Sequence, residues 1–389
     1  EVVSKPDWCT LSTMSGEKKT ELTLTIDAGS ESREGEIVFK LDEYDYTTTC
    51  RVAQYYYEHE EDEEITLQTH SRGKGINLVF LGDGFDAENI SNGDYLRVMN
   101  EQMERFFDIE PYHTYRDYFN VSTAIAVSPE SGIGTVNTIR NTKFETTFTG
   151  EVGLRGNYST IFNYAMEVSP VDESNLNQSL IIVTPNTIDY GGITEMWTDG
   201  SAIAFCPLSE DSYPYDARGI IQHEAGGHGF GKLGDEYIYH NTFIDFCDCT
   251  CCEHVFEFNI AKSLGWYENL SLTGKMHEVP WSHLIFDDRY SDVVDIYEGG
   301  FMHARGVFRS EQNSCMNNDI PYYSAISREA IVKRIMEYAG ESYSFEKFVA
   351  NDKRDAGESL SRYADRPGVT VRGNQYAPRI HEGKPDILK

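Results

Sequence analysis

Nowhere in the chain of 389 residues does an apolar run reach the roughly 18 residues that a membrane-crossing helix needs. No transmembrane segment is therefore expected. Basic residues are scarce as well: 33 Lys and Arg stand against 64 Asp and Glu, a net charge of −31. Phosphate recognition requires clustered Lys and Arg, so nucleic acid is not an expected partner, and the acidic excess reads as a well-solvated surface. No internal repeat is visible, which sets aside solenoid and propeller architectures. No leader segment is visible, and the chain opens at Glu1 without Met, as a processed chain would, so its start is weak ground for assigning a compartment.

What is present is enough for packed cores, with 40% hydrophobic and 13% aromatic residues. The 25 tyrosines suit exposed β-structure or a substrate cleft, because each pairs an apolar ring with a polar tip. The length suggests two or three domains. Residues 20–26, 35–41 and 50–55 carry the alternation or β-propensity of strands, separated by turn-rich segments, and predict a small N-terminal β-sandwich. Residues 58–64 are almost entirely acidic, and such a block marks a linker. The expected division is 1–64 for the β-module and its linker, and 65–389 for the rest, with a polar tail from about residue 345 that wraps the surface or is partly loose. From about residue 74 strands (76–81, 121–127, 180–183) alternate with helical patterns (92–107, 158–168, 217–233, 325–339). The expected class is α+β: a small all-β module followed by a mixed α/β domain. Asp83, between two glycines at the end of the first of these strands, reads as a turn residue.

The chemistry concentrates in His223-Glu224-Ala225-Gly226-Gly227-His228, followed by Asp235-Glu236. Two imidazoles, a third ligand and an open position for water are what a catalytic zinc site needs. A carboxylate beside that water takes its proton, and Glu224, directly after the first histidine, is placed for this as in H-E-x-x-H enzymes. The histidines, however, stand at i and i+5. At roughly 100° per residue they would lie about 140° apart on an α-helix and could not share an ion. An inserted residue in a π-type turn restores a common face, and Gly226 and Gly227 sit where it is needed. Gly231 and Gly234 can then end the helix and return the chain, bringing Asp235, or alternatively Glu236, to the metal. The expected ligands are His223, His228 and Asp235, with Glu224 as base and one Zn2+ ion. Cobalt or manganese would accept the same donors.

The stretch from His228 through Gly231, Gly234 and Asp235-Glu236 to Tyr237 resembles the signature of the IgA-peptidase-type metallopeptidases. The resemblance extends to residues 78–85, to Phe106-Phe107-Asp108-Ile109-Glu110-Pro111, to residues 115–121, and to Asn313-Ser314-Cys315-Met316 with residues 327–331. It spans about residues 74–340. It implies a metzincin-like zinc endopeptidase fold, secreted or held in the cell envelope, with Met316 at the position of the methionine turn beneath the metal and proteins or peptides as substrates. Residues 1–57 resemble a BACON-type module through Trp8, Gly35 and Val52-Ala53-Gln54. That resemblance implies either a spacer or a contact with glycan.

Groups that could polarise the substrate carbonyl beside the metal are Tyr322, Tyr323, His303, Arg305 and Arg309, all near Met316. Gly191-Gly192 with the strand at 201–205 could form a cleft edge that pairs with extended substrate. Four of the eight cysteines crowd into residues 247–252. They could brace a loop as disulfides, bind a second zinc together with His254, or remain thiols. The rival to an active peptidase is an inactive peptidase fold that binds protein or glycan at the surface.

Overall fold

The structure is a computed structural model that describes residues 1–17, 19–41, 46–56, 58–150, 152–245, 252–354 and 378–387. In the N-terminal part, β1 (Val2–Ser4) pairs with β4 (Arg33–Leu41), while β2 (Cys9–Leu11) and β3 (Leu24–Ile26) form a separate hairpin. β5 (Tyr46–Gln54) runs antiparallel to β4 through nine residue pairs. Only Leu24–Ile26 of the strand expected over 20–26 is extended in the sheet sense. The core here is small: Val2, Cys9, Ile37 and Val52 are buried, with Trp8, Leu11, Leu24, Ile26 and Phe39 packed around them.

The acidic stretch after β5 is tied down by charge. The Lys143 ammonium lies 3.0 Å from both Glu61 and Asp62 carboxylates, and the Asp62 amide donates to Ile125 O. It leads into β6 (Glu64–Gln68), which already belongs to the large sheet.

That sheet has seven strands. β7 (Ile76–Asp83) and β8 (Phe119–Ala124) run parallel to each other, and β6 is antiparallel to β8 at one edge. A short hairpin, β9 (Thr147–Phe148) with β10 (Leu154–Arg155), stands apart from it. β11 (Leu180–Pro185) is parallel to β7. β12 (Ile193–Trp197) is antiparallel to β13 (Ala202–Phe205), which lies parallel to β11. β7, β11, β12 and β13 are buried almost throughout, as strands covered on both faces must be. The chain is thus a mixed α/β structure behind an all-β start.

Asp83 is more than a turn residue. Its buried carboxylate accepts from the Phe144 and Thr146 amides at 3.0 and 2.9 Å and from the Thr142 hydroxyl at 2.9 Å. It thereby fixes the loop that carries β9 and β10.

A second, small sheet follows. β14 (Ile238–Phe243) is parallel to β17 (Met302–Arg309), and β15 (Leu270–Ser271) and β16 (Tyr297–Gly300) are antiparallel to β17. The polar tail contributes helix Phe345–Asn351 and a last strand, β18 (Arg379–His381). β18 adds to β12 in parallel, its His381 imidazole 2.7 Å from the buried Glu195 carboxylate. This addition corrects the edge-strand expectation. β13 lies between β11 and β12, and β12 itself is covered by β18 from Glu195 to Trp197. The Gly191-Gly192 segment that leads into β12 lies beside Glu224, and its Gly192 amide donates to Val152 O at 3.1 Å.

Candidate metal centre

The segment that carries the histidines starts as an α-helix, Ala217–Ile221, capped by the Asp216 side chain on the Gly219 amide at 2.9 Å. It then widens into a π-helix over Gln222–Phe230. In a π-helix each N–H reaches the carbonyl five residues back, so His228 stacks over His223. External groups hold the wide turn open. The Tyr112 hydroxyl donates to Gly226 O at 2.6 Å, and the Tyr323 hydroxyl donates to Gln222 O. The Gln222 amide donates to Arg105 O and Asp108 O, at 2.9 and 3.1 Å. The glycines allow these contacts. A Cβ on Gly226 would stand 2.5 Å from the Tyr323 hydroxyl, and one on Gly227 would stand 2.3 Å from Met316 Sδ.

Beyond the π-helix the chain turns back at Lys232 and returns Asp235. His223 Nε2, His228 Nε2 and Asp235 Oδ1 form a triangle with every edge 3.1 Å. Among the described residues, this is the one group of three such side chains whose donor atoms already stand close enough together to share an ion. The other ring nitrogens are engaged. His228 Nδ1 lies 2.7 Å from Leu233 O, an acceptor only. His223 Nδ1 lies 3.0 Å from Cys315 O and 2.9 Å from Asp319 Oδ1. Nδ1 is therefore the donor in each ring, which leaves lone pairs on both Nε2 atoms. Two lone pairs and a carboxylate oxygen facing one another at 3.1 Å repel unless a cation or proton stands between them. Asp235 Oδ2 is buried without a hydrogen bond, a costly arrangement for a charged group. A divalent metal removes both problems, and donors that share such an ion lie about 3 Å apart. The residues fit the group.

The electrostatics show a site that draws positive charge. Burial raises the Asp235 carboxyl, but His228 and His223 more than offset it and hold it at about 2. Burial opposes protonation of His223, yet Asp319 and Asp235 outweigh it and push that imidazole well above its ordinary value. Asp319, in left-handed conformation, thus completes a carboxylate–imidazole arrangement of the kind that orients metal ligands.

Glu224 sits outside the triangle. Its Oε2 accepts the Thr194 hydroxyl at 2.8 Å, and its proton affinity is raised above the carboxylate norm, chiefly by burial. The carboxylate opens onto a cleft lined by Val152, Tyr190, Gly191, Gly192, Ile220, His223 and Asp319.

The remaining expected residues take other places. Glu236 points away from the triangle, accepting from the Asn269 amide at 2.9 Å and the Ser314 hydroxyl at 2.6 Å. Its burial, countered in part by those bonds, sets it at about 7. Met316 lies fully buried beneath Gly227, and its carbonyl accepts the Glu236 amide at 2.8 Å. None of the five carbonyl-polarising candidates lines the cleft. Tyr322 donates to Glu311 at 2.8 Å, and Tyr323 donates to Gln222 O. Arg309 donates to Gly299 O at 2.6 Å, and exposed Arg305 lies over the Phe243 ring. His303 faces His254 and Thr242. Residues 247–251 lie outside the described residues, and so does the side chain of Cys252. The expectations placed on that cluster therefore lie outside them too. Sequence reasoning missed Asp319, Thr194 and Tyr190. The one local signal was that Asp319 closes the polar run after Met316.

Fold and site together describe a mixed α/β protein with a buried His-His-Asp metal-binding geometry and a carboxylate beside it. The sequence model of the IgA Peptidase M64 family matches residues 65–261, just over half of the chain, and the chain belongs to that family of metallopeptidases. Residues 1–54 match BACON, described as a putative binding domain at the N-terminus. No curated protein matches the chain. The M64 match ends before Met316, so that residue's place rests on its position under Gly227. Among the described residues no helix is long and apolar enough to cross a membrane.

Proposed function

We propose that the chain is a zinc-dependent endopeptidase of metzincin-like fold, secreted or held in the cell envelope, that cleaves extracellular proteins. The observation that carries this reading is the convergence of His223, His228 and Asp235 at 3.1 Å with the Glu224 carboxylate on the adjoining cleft wall. His223, His228 and Asp235 would hold the ion. When bound, zinc supplies Lewis acidity, which lowers the pKa of a coordinated water and polarises a peptide carbonyl.

The chain's own groups do the rest. Glu224 Oε2 is anchored by Thr194, so the carboxylate keeps one orientation. Burial strengthens it as a base, and the proton it takes is later returned to the leaving amine. Gly192 keeps the approach open, since a Cβ there would lie 3.2 Å from Glu224 Oε1. Extended substrate lies across the cleft wall formed by Gly191-Gly192, with the Tyr190 phenol, which donates to Asp319 Oδ2 at 3.4 Å, beside it. Residues 1–64 act as a spacer that holds the peptidase domain, 65–389, away from a surface; a glycan contact by this module is the alternative.

The test pairs wild type with Glu224→Ala, measuring bound metal and cleavage of an unbiased peptide library. Both should hold about one zinc at this centre, with turnover lower by about 10²–10⁴-fold in the variant. Metal without cleavage in either protein would favour an inactive binding protein. Absence of metal from the His223–His228–Asp235 centre would overturn the reading.

A further inference from the structure

A second group of imidazoles lies in the small sheet and takes no part in the site above. His240 on β14 and His303 on β17 are register partners, and His254 comes from the helix Cys252–Ser263. His303 is fully buried. Its Nε2 stands 2.9 Å from His254 Nδ1, and its Nδ1 stands 3.1 Å from the Thr242 hydroxyl. The ring centroids of His254 and His240 are 5.2 and 5.7 Å from that of His303.

Three histidines drawn together from three elements need a reason, because each protonated ring repels the others. Burial, with His254 and His240 adding to it, lowers His303 to about 4, so its ring is neutral at ordinary pH. Neutral imidazole is the commonest protein ligand for zinc and its neighbours. A hydroxyl on the far nitrogen is the kind of outer partner that fixes a ligand's tautomer. The His254–His303 nitrogens stand at hydrogen-bond distance, 2.9 Å, and need to part by only about 0.4 Å to share one tetrahedral ion. His240 is exposed, so its side chain can turn without disturbing packing.

We propose that His303 and His254, completed by His240 turning in from the exposed end of its strand, bind a second zinc-class divalent cation, separate from the His223–His228–Asp235 centre. The ion would clamp the helix Cys252–Ser263 onto the small sheet and leave open positions toward solvent.

The test counts ions in the full chain after chelator treatment, reloading with zinc and desalting. Wild type should retain two, His223→Ala/His228→Ala one, and the same variant with His254→Asn none. His254→Asn alone should keep one ion and its peptidase turnover. His240→Asn, an exposed substitution that spares folding, should weaken the second site by at least 10-fold, and circular dichroism checks the fold of every variant. A single ion in wild type, or an ion count that His254→Asn does not change, would overturn the proposal. So would a thiolate-to-metal charge-transfer band in the cobalt-loaded His223→Ala/His228→Ala protein, which would assign the ion to cysteine. Failure of the peptidase centre would instead show as loss of the ion that survives in His254→Asn.

Discussion

His223 is engaged at both ring nitrogens, by Asp235 on one side and by Cys315 O and Asp319 on the other. The Asp319 carboxylate is the one charged partner on its outer side, and removing that charge should loosen the metal without dismantling the site, since Cys315 O still fixes the tautomer. Asp319→Asn is expected to weaken metal binding by about 10–100-fold, the range typical of outer partners. Chelator competition measures this, and an unchanged affinity would reduce Asp319 to a packing role. The residue scale also shows which site residues the sequence could reveal. His223, Glu224, His228 and Asp235 fall within one short stretch, where spacing and chemical type speak together. Asp319, Thr194 and Tyr190 reach the site from other elements, and nothing local to them announces a partner so far along the chain. Of the five candidates near Met316, Tyr322, Tyr323, Arg309 and His303 bond to other groups, and Arg305 lies exposed over the Phe243 ring.

The π-helix over Gln222–Phe230 is the element on which the centre depends, and two tendencies compete in it. Alanine favours an α-helix over glycine by about 1 kcal/mol, whereas the space beside Gly226 is filled by the Tyr323 hydroxyl and the Tyr112 ring, at 2.5 and 3.1 Å from a built Cβ. Both tyrosines are fully buried, so they cannot swing aside cheaply. Overpacking of about 1–3 kcal/mol should therefore prevail, and Gly226→Ala should destabilise the protein and lose metal. In a Tyr323→Phe background, which removes the nearest atom, the same substitution should cost less. A denaturation double-mutant cycle reads this coupling, and strict additivity would refute the steric account. The π-type turn was legible because two histidines at i and i+5 had to share a face. The cover on β12 was not, because β18 is a three-residue strand, Arg-Ile-His, joined to β12 through its backbone and through His381 and Glu195, a pairing that only the folded chain creates.

At the scale of the molecule the small N-terminal core shares no residue with the large one. One contact between the two parts is polar and exposed, the Tyr55 hydroxyl donating to Glu88 at 3.2 Å. Exposed pairs of this kind contribute about 0–1 kcal/mol. The metal centre draws every described ligand and support from beyond residue 100, so it has no need of the N-terminal strands. A chain of residues 58–389 is accordingly expected to fold, to keep the wild-type metal content and to melt within a few degrees of the full chain. The converse piece, residues 1–57, has four buried apolar side chains at its centre. A unit so small buries too little of its surface to be more than marginal, and it should melt well below the larger piece. Calorimetry of the two pieces, with metal counted in the larger, separates this from its opposite. If 58–389 lost its metal or aggregated, the N-terminal strands would be part of the peptidase fold rather than a module set before it, and the spacer reading would fall with them.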